Sequence, residues 1–352
     1  MTQEIPVIYT EASFSHRPQY EVFRGEKEPH AETVERVENI LQALRASGFT
    51  HINTTTIDGM PWIEQVHDAA YLDFLKQTSD NVDASVADKG VKPGDVKAIY
   101  PSVHPYVPNP RATNPLAERG KYMFDMYTPI MQGTYEVAVE SAACAVAGAK
   151  LLKDGEKQVY ALTRPPGHHA EEAMMGGYCY INNAAVAAQY LRSAGADRVA
   201  IFDFDIHHGN GTQNIFYGRD DVFFASIHAS PDIKFPFYTG YEDEHGEGDG
   251  AGFNYNIPLP EGIDDATYDV HVAKVLKRIR DFHPNYLVVS AGFDTHAKDP
   301  IGAFRLTTDY FGKLGKDIAS LEFPTLTVQE GGYATDVLGE NVVSYLKGFR
   351  ER

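Results

Sequence analysis

The sequence predicts an α/β protein built on one mainly parallel sheet, and three observations predict it. Apolar, β-rich runs recur at Val159 to Thr163, Val199 to Phe204, Val222 to Ile227, Tyr286 to Ala291 and Thr325 to Val328. They are continuous rather than alternating, the pattern of strands buried on both faces. Helical segments separate them, and strand alternating with helix implies right-handed crossovers between parallel strands. Each run also ends in polar residues able to do chemistry, and in open α/β sheets the ligand crevice lies at the carboxyl ends of the strands.

Taken in chain order, the first helix is expected over Glu32 to Ala46. Val34, Val37, Ile40, Leu41 and Leu44 form one stripe, and Gly48 stands just past its end. A second helix is expected from Tyr135 to Lys153. Between them, Asp80 to Gly120 holds Pro93, Pro101, Pro105, Pro108, Pro110 and Pro115 with little periodicity, and reads as an extended loop insertion. Later helices are expected at Asn183 to Ser193 behind Asn182, and at Ala266 to Phe282 behind Asp264 and Asp265, with side chains suited to cap free N–H groups. There is no internal repeat, and residues 1–352 read as one domain.

Composition narrows the function. The chain carries 31 Lys and Arg against 49 Asp and Glu, a net charge of −18, which argues against nucleic acid or an anionic membrane as partner and favours small cations. Cys144 and Cys179 are too few for a disulfide framework or a thiolate zinc site. The opening residues Met1 to Pro6 show no basic stretch followed by an apolar one, and no apolar run approaches membrane-spanning length. The expected location is the cytoplasm.

The chemistry gathers at the strand ends. His168 and His169 are adjacent on an irregular Pro/Gly backbone, where two different partners can set two imidazoles to two tasks. In the run Phe202 to His207 the strand period puts Asp203, Asp205 and His207 on one side. Two carboxylates that close are costly without a cation. Asp205, His207 and Asp294 make a three-ligand set with an open fourth position, as a catalytic zinc needs, and the oxygen-rich set also allows Fe(II) or another divalent ion. Asp203 is better placed behind that set or on a monovalent cation. No further carboxylate follows His207 or Asp294 two residues on, where Gly209 and His296 stand, which favours one metal over a bridged pair. Tyr333 follows Gly331 and Gly332, which allow the tight backbone needed to bring its phenol over a metal. Cys179 has no residue that orients it on the histidine pair as a nucleophile would require.

These residues resemble the histone deacetylase family, in its acetylpolyamine amidohydrolase branch. The matching motifs are Arg164 to His169, Gly177 to Asn183, Asp203 to Gly211, Ser290 to Asp294 and Glu330 to Tyr333. They occur in the family's order, and the resemblance runs from Pro29 to Phe349. It implies the arginase/deacetylase fold, one eight-stranded, mostly parallel sheet with helices on both faces. It makes Asp205, His207 and Asp294 zinc ligands, His168 and His169 the histidine pair, and Tyr333 the donor to the oxyanion. Asp203 matches the carboxylate paired with His168, and Asn210 stands where some relatives carry a second aspartate. The resemblance further implies an inner structural potassium site of Asp203, Asp205, the His207 carbonyl, Ser226 and the Ile227 carbonyl. It also implies an acyl channel walled by Tyr178 and Phe235 beside Gly177.

The substrate expectation is an acetylated polyamine or diamine, a small cation. It rests on the acidic field, on Glu21, and on the resemblance of the Asp80 to Gly120 insertion to the dimer-forming, channel-narrowing loop of bacterial polyamine deacetylases, which also implies a homodimer. Against it, Tyr127 stands at the rim position where bacterial relatives place an acid, with Asp125 nearby, and Ile301 stands where the eukaryotic polyamine enzyme has a gatekeeping glutamate. The alternatives are a protein Nε-acetyl-lysine deacetylase, a broad acyl-amine hydrolase, or a non-catalytic binding module that retains the fold.

Overall fold

A computed structural model describes residues 4–55, 57–82, 97–104 and 114–350. Its strands, in chain order, are β1 (Val7–Tyr9), β2 (Tyr20–Phe23), β3 (Glu26–Pro29), β4 (Ile52–Thr54), β5 (Gln158–Ala161), β6 (Val199–Asp203), β7 (Val222–Ala229), β8 (Asn254–Leu259), β9 (Tyr286–Ala291) and β10 (Thr325–Gln329). Eight of them form one sheet in the order β4-β1-β5-β10-β9-β6-β7-β8. Every neighbouring pair in it is parallel.

The continuous apolar runs are the middle of this sheet, and they are covered twice. On β6, Ala200 and Phe202 join a core with the helices Glu35–Ala46, Asp265–Phe282, Thr308–Ala319 and Thr335–Gly348. Val199 and Ile201 of the same strand join a second core with the helices Ala69–Asp80, Thr134–Lys153 and Asn183–Ser193. Alternate side chains of one strand therefore feed opposite layers, so an apolar residue is required at every position. The strands that sequence reading passed over are short or at an edge. β1 and β4 have three residues each, and β8 is an edge strand carrying Pro258, which supplies no ladder N–H and is tolerated there. The antiparallel hairpin β2–β3 stands apart, turned by Arg24 and Gly25 at φ 51° and 87°.

Helix ends follow the caps. The Asn182 side chain accepts from Ala185 N, and Asp264 accepts from Thr267 N. Two expectations need correction. The first helix starts at Glu35 rather than Glu32, because Glu32 is drawn into a buried ion-pair network described below. The segment Asp80 to Gly120 is not loop throughout. Asp80 closes the helix Ala69–Asp80, Ile99 pairs with Ile130, and a helix spans Pro115–Tyr122 with Asn114 capping Leu116 N and Pro115 in its first turn. Residues 83–96 and 105–113 of that insertion lie outside the described residues.

Candidate active site

Parallel pairing sets the acidic strand ends side by side. Asp203 closes β6 in register with Ser226 of β7 on one side and Ser290 of β9 on the other, and is fully buried. Beyond it the chain turns tightly: Asp203 Oδ1 accepts from Asp205 N at 3.1 Å, and Asp205 Oδ1 accepts from His207 N at 2.9 Å. Asp294, just past β9, accepts from Ile206 N at 2.9 Å. Asp205, His207 and Asp294 thereby bring one candidate ligand atom each to within 4.8 Å of one another. His207 Nδ1 lies 3.1 Å from Asp205 Oδ1 and 3.4 Å from Asp294 Oδ2.

Asp294 Oδ2 is buried with no hydrogen-bond donor, and burial followed by the charge of Asp205 raises the Asp294 carboxyl above the usual range. Two buried carboxylates facing one imidazole need a proton or a cation among them. The mixed nitrogen and oxygen set, with an orphaned acceptor, fits a divalent ion.

The histidine pair stands on the turn after β5. Glu330 Oε2 accepts from Gly167 N at 2.7 Å and His168 N at 3.2 Å, fixing that turn from below. The two rings lie 4.0 Å apart between centroids but face different partners. His168 Nδ1 contacts Asp203 Oδ2 at 3.0 Å, whereas His169 Nδ1 contacts Asn210 Oδ1 at 2.7 Å. Burial opposes charge on both. For His168 the carboxylates of Asp205 and Asp203 overcome it and raise the ring to about 10, which favours its charged form. For His169 burial is reinforced by His168 and His207, and its affinity for a proton falls well below the ordinary range. The surroundings therefore bias one ring toward its charged form and its neighbour toward its neutral form.

Aromatic side chains line the approach. Phe235 stands edge-on to His169 at 4.8 Å between centroids, and Tyr178 edge-on to Tyr333 at 5.7 Å. Gly177, at φ 56°, leaves room for the His169 ring: a Cβ there would lie 2.1 Å from His169 Cδ2. Gly331 is equally confined, its N–H donating to Asp205 Oδ2 at 2.8 Å. Glu21 of β2 is buried against the Tyr178 hydroxyl with Oε2 unpartnered, and burial pushes its carboxyl up to about 7. Ser226, beside Asp203, bonds His228 Nδ1 at 2.8 Å, and Ile227 follows it inside β7. Cys179 is buried, donates to the Gly177 carbonyl at 3.2 Å, and burial holds its thiol far above thiolate range.

Sequence reasoning missed the residues that hold Tyr333. Arg36 donates through Nε to the Gly332 carbonyl at 2.6 Å and through Nη2 to the Glu330 carbonyl, and its guanidinium lies 4.8 Å from the Tyr333 ring centroid. The same guanidinium meets Glu32 Oε1 at 2.9 Å, which also accepts from Arg164 Nε at 2.6 Å. From the opposite side Asp299 Oδ2 accepts from Tyr333 N at 2.6 Å and Ala334 N at 3.0 Å. Asp299 in a polar loop carries no local signal, and Arg36 carries only the i,i+4 spacing from Glu32, which exposed helix pairs share.

A family model described as the histone deacetylase domain matches residues 30–349. The chain belongs to the histone deacetylase family. Among curated relatives it is 41% identical over 344 residues to the acetylpolyamine amidohydrolase of Mycoplana ramosa, covering 97% of this chain and 98% of that protein. It is 39% identical over 342 residues to acetylpolyamine amidohydrolase 1 of Pseudomonas aeruginosa, with the same coverage. Among solved structures, acetylpolyamine aminohydrolase from Burkholderia pseudomallei superimposes with a TM-score of 0.92 at 38% identity, covering 98% of each chain. The fold is the arginase/deacetylase fold.

Proposed function

We propose that this histone deacetylase family member hydrolyses the acetamide of small acetylated polyamines or diamines, releasing acetate and the free amine. The observation that carries the reading is the meeting of Asp205, His207 and Asp294 beside a histidine pair whose two rings are biased toward different charge states. Asp205, His207 and Asp294 would hold a zinc ion, with Fe(II) as a substitute, and such an ion acidifies water and polarises an acyl oxygen.

His169 is the base. With Nδ1–H directed to Asn210 Oδ1, its Nε2 is free to accept a proton from the attacking water. The tetrahedral oxyanion then accepts a hydrogen bond from the Tyr333 hydroxyl, whose main chain is gripped by Asp299 and Arg36. The proton passes from His169 Nε2 to the amine nitrogen as the C–N bond breaks. His168 remains an imidazolium on Asp203 and supplies fixed positive charge beneath the developing anion.

Tyr178, Gly177 and Phe235 form a narrow aromatic passage suited to an aliphatic chain, and Glu21, with Asp125 behind it, supplies the carboxylate for a distal ammonium. A potassium ion on Asp203, Asp205, Ser226 and the His207 and Ile227 carbonyls would offset the buried carboxylates, and the chain acts as one catalytic domain in a cytoplasmic homodimer. No helix of the described residues is long and apolar enough to cross a membrane. Turnover of N-acetylputrescine, N-acetylcadaverine and acetylspermidine against an acetyl-lysine peptide tests the substrate class. The small amines should win in kcat/KM, and a clear preference for the peptide would replace this reading with protein deacetylation.

A further inference from the structure

His169 Nδ1 contacts Asn210, an amide, which can face a ring nitrogen with either its oxygen or its NH2 group. The choice decides the chemistry. With oxygen toward the ring, His169 keeps its proton on Nδ1 and presents a free Nε2. With NH2 toward the ring, the proton must sit on Nε2 and the base is lost. Something has to set the amide, and the structure offers one group with the right chemistry. Glu171 Oε1 lies 2.9 Å from Asn210 Nδ2. A carboxylate only accepts, so it demands the NH2 side of Asn210 and turns the oxygen to His169.

The rest of the neighbourhood agrees. Asn210 Nδ2 also lies 3.3 Å from the His169 carbonyl, a second acceptor. The Tyr238 hydroxyl is 3.3 Å from both Glu171 Oε1 and Asn210 Nδ2, and can donate to the carboxylate. The Glu171 main chain is itself fixed: its N–H donates to the Met174 carbonyl at 2.9 Å, and its carbonyl lies 3.0 Å from Nδ1 of the buried His67. His67 Nε2 accepts from Asn182 N at 3.0 Å, so its proton is on Nδ1 and that contact is a hydrogen bond.

We propose that Glu171 is a positioning residue for the base: through Asn210 it fixes the tautomer of His169, and it balances the imidazolium that forms when His169 takes the water proton. The inference rests on the reading of His169 as the base.

The test exchanges amide and carboxylate across the 2.9 Å contact. Glu171→Gln, which can offer Asn210 either a donor or an acceptor, should lower kcat roughly tenfold while KM stays nearly constant, the scale found for partners that orient a working histidine. Asn210→Asp sets two carboxylates against each other and should also lose turnover. The double variant Glu171→Gln/Asn210→Asp restores one carboxylate facing one amide, still with oxygen toward His169, and should turn over roughly tenfold faster than Asn210→Asp alone, a coupling within the range of interacting pairs. Losses that simply multiply, or wild-type kcat in Glu171→Gln, would overturn the proposal. Should Glu171→Gln not fold, Glu171→Asp keeps the charge one methylene short of Asn210, and wild-type turnover in it would overturn the proposal equally. His169→Ala is measured alongside. Retained activity there removes the base assignment itself, whereas abolished activity with multiplicative double-variant losses removes only Glu171.

Discussion

At the scale of single residues, the site works by giving similar groups unlike surroundings. His168 and His169 differ by one position in sequence, yet a carboxylate faces one and an amide the other, and their favoured charge states separate. Tyr333 is held by its main chain and its ring face, so its placement does not depend on its hydroxyl, the group proposed to donate to the oxyanion. Tyr333→Phe should therefore lower kcat by roughly two to three orders of magnitude, as loss of an oxyanion donor does, with KM and melting temperature close to wild type. Steady-state kinetics beside a thermal melt would check it, and near-normal turnover would exclude the donor role. Glu21 makes a second prediction. Burial raises its carboxyl to about 7, with Asp125 and Glu28 adding to the rise and the Tyr178 hydroxyl opposing it. The group is neutral below that value and anionic above it, while an alkylammonium stays charged throughout. KM for N-acetylputrescine should thus fall as pH rises through about 7, and Glu21→Gln should give a higher KM with that inflection gone.

Between elements, the first helix and the Tyr333 loop are joined by a buried ionic knot. Glu32 Oε1 serves both Arg36 and Arg164, all three side chains about 1% exposed or less, and Arg36 continues to the Gly332 and Glu330 carbonyls. Removing the shared carboxylate leaves two buried guanidiniums uncompensated. Glu32→Ala should cost about 3–5 kcal/mol in a denaturant unfolding experiment, far more than an exposed i,i+4 pair such as Lys76–Asp80 would. This knot also marks where sequence reading stops. The central strands were legible because burial on both faces forces a continuous apolar run, and the Asn182 and Asp264 caps because the cap residue is itself the signal. Glu32 looked like the acidic start of a helix, since nothing local distinguishes a solvated carboxylate from one that Arg164 reaches across the fold. Likewise β4 and β8 lack the two-faced pattern because edge strands are covered on one side of the ladder only, so β8 can read Asn254 to Leu259 with Pro258 inside it. The candidate ligands were legible as polar residues just past apolar runs, but not through the expected strand period: β6 ends at Asp203, and a tight turn rather than a strand brings Asp205 and His207 round. Asp299 and Glu171, which act on Tyr333 N and Asn210 through space, were not legible.

For the whole molecule, the sheet gathers negative charge in a buried place at its carboxyl end. Asp203, Asp205 and Asp294 are all fully buried at or just past adjoining strand ends, with the rings of His168 and His207 packed among them. A divalent ion held by Asp205, His207 and Asp294 in the native fold, and only weakly by the open chain, would add stability in proportion to RT ln(1 + [M]/Kd), about 4 kcal/mol when the ion is present at roughly a thousand times Kd. Stripping the protein with a chelator should then do two things together. Turnover should vanish, and the melting temperature should drop, because the three buried carboxylates lose the charge that offsets them. Titrating zinc or Fe(II) back should restore both along one binding curve, with a stoichiometry of about one ion per chain for the activity. The double readout is what makes the measurement decisive: a melting temperature indifferent to chelation would mean that Asp205, His207 and Asp294 balance their charges by sharing protons, and the metal reading of this site would fall.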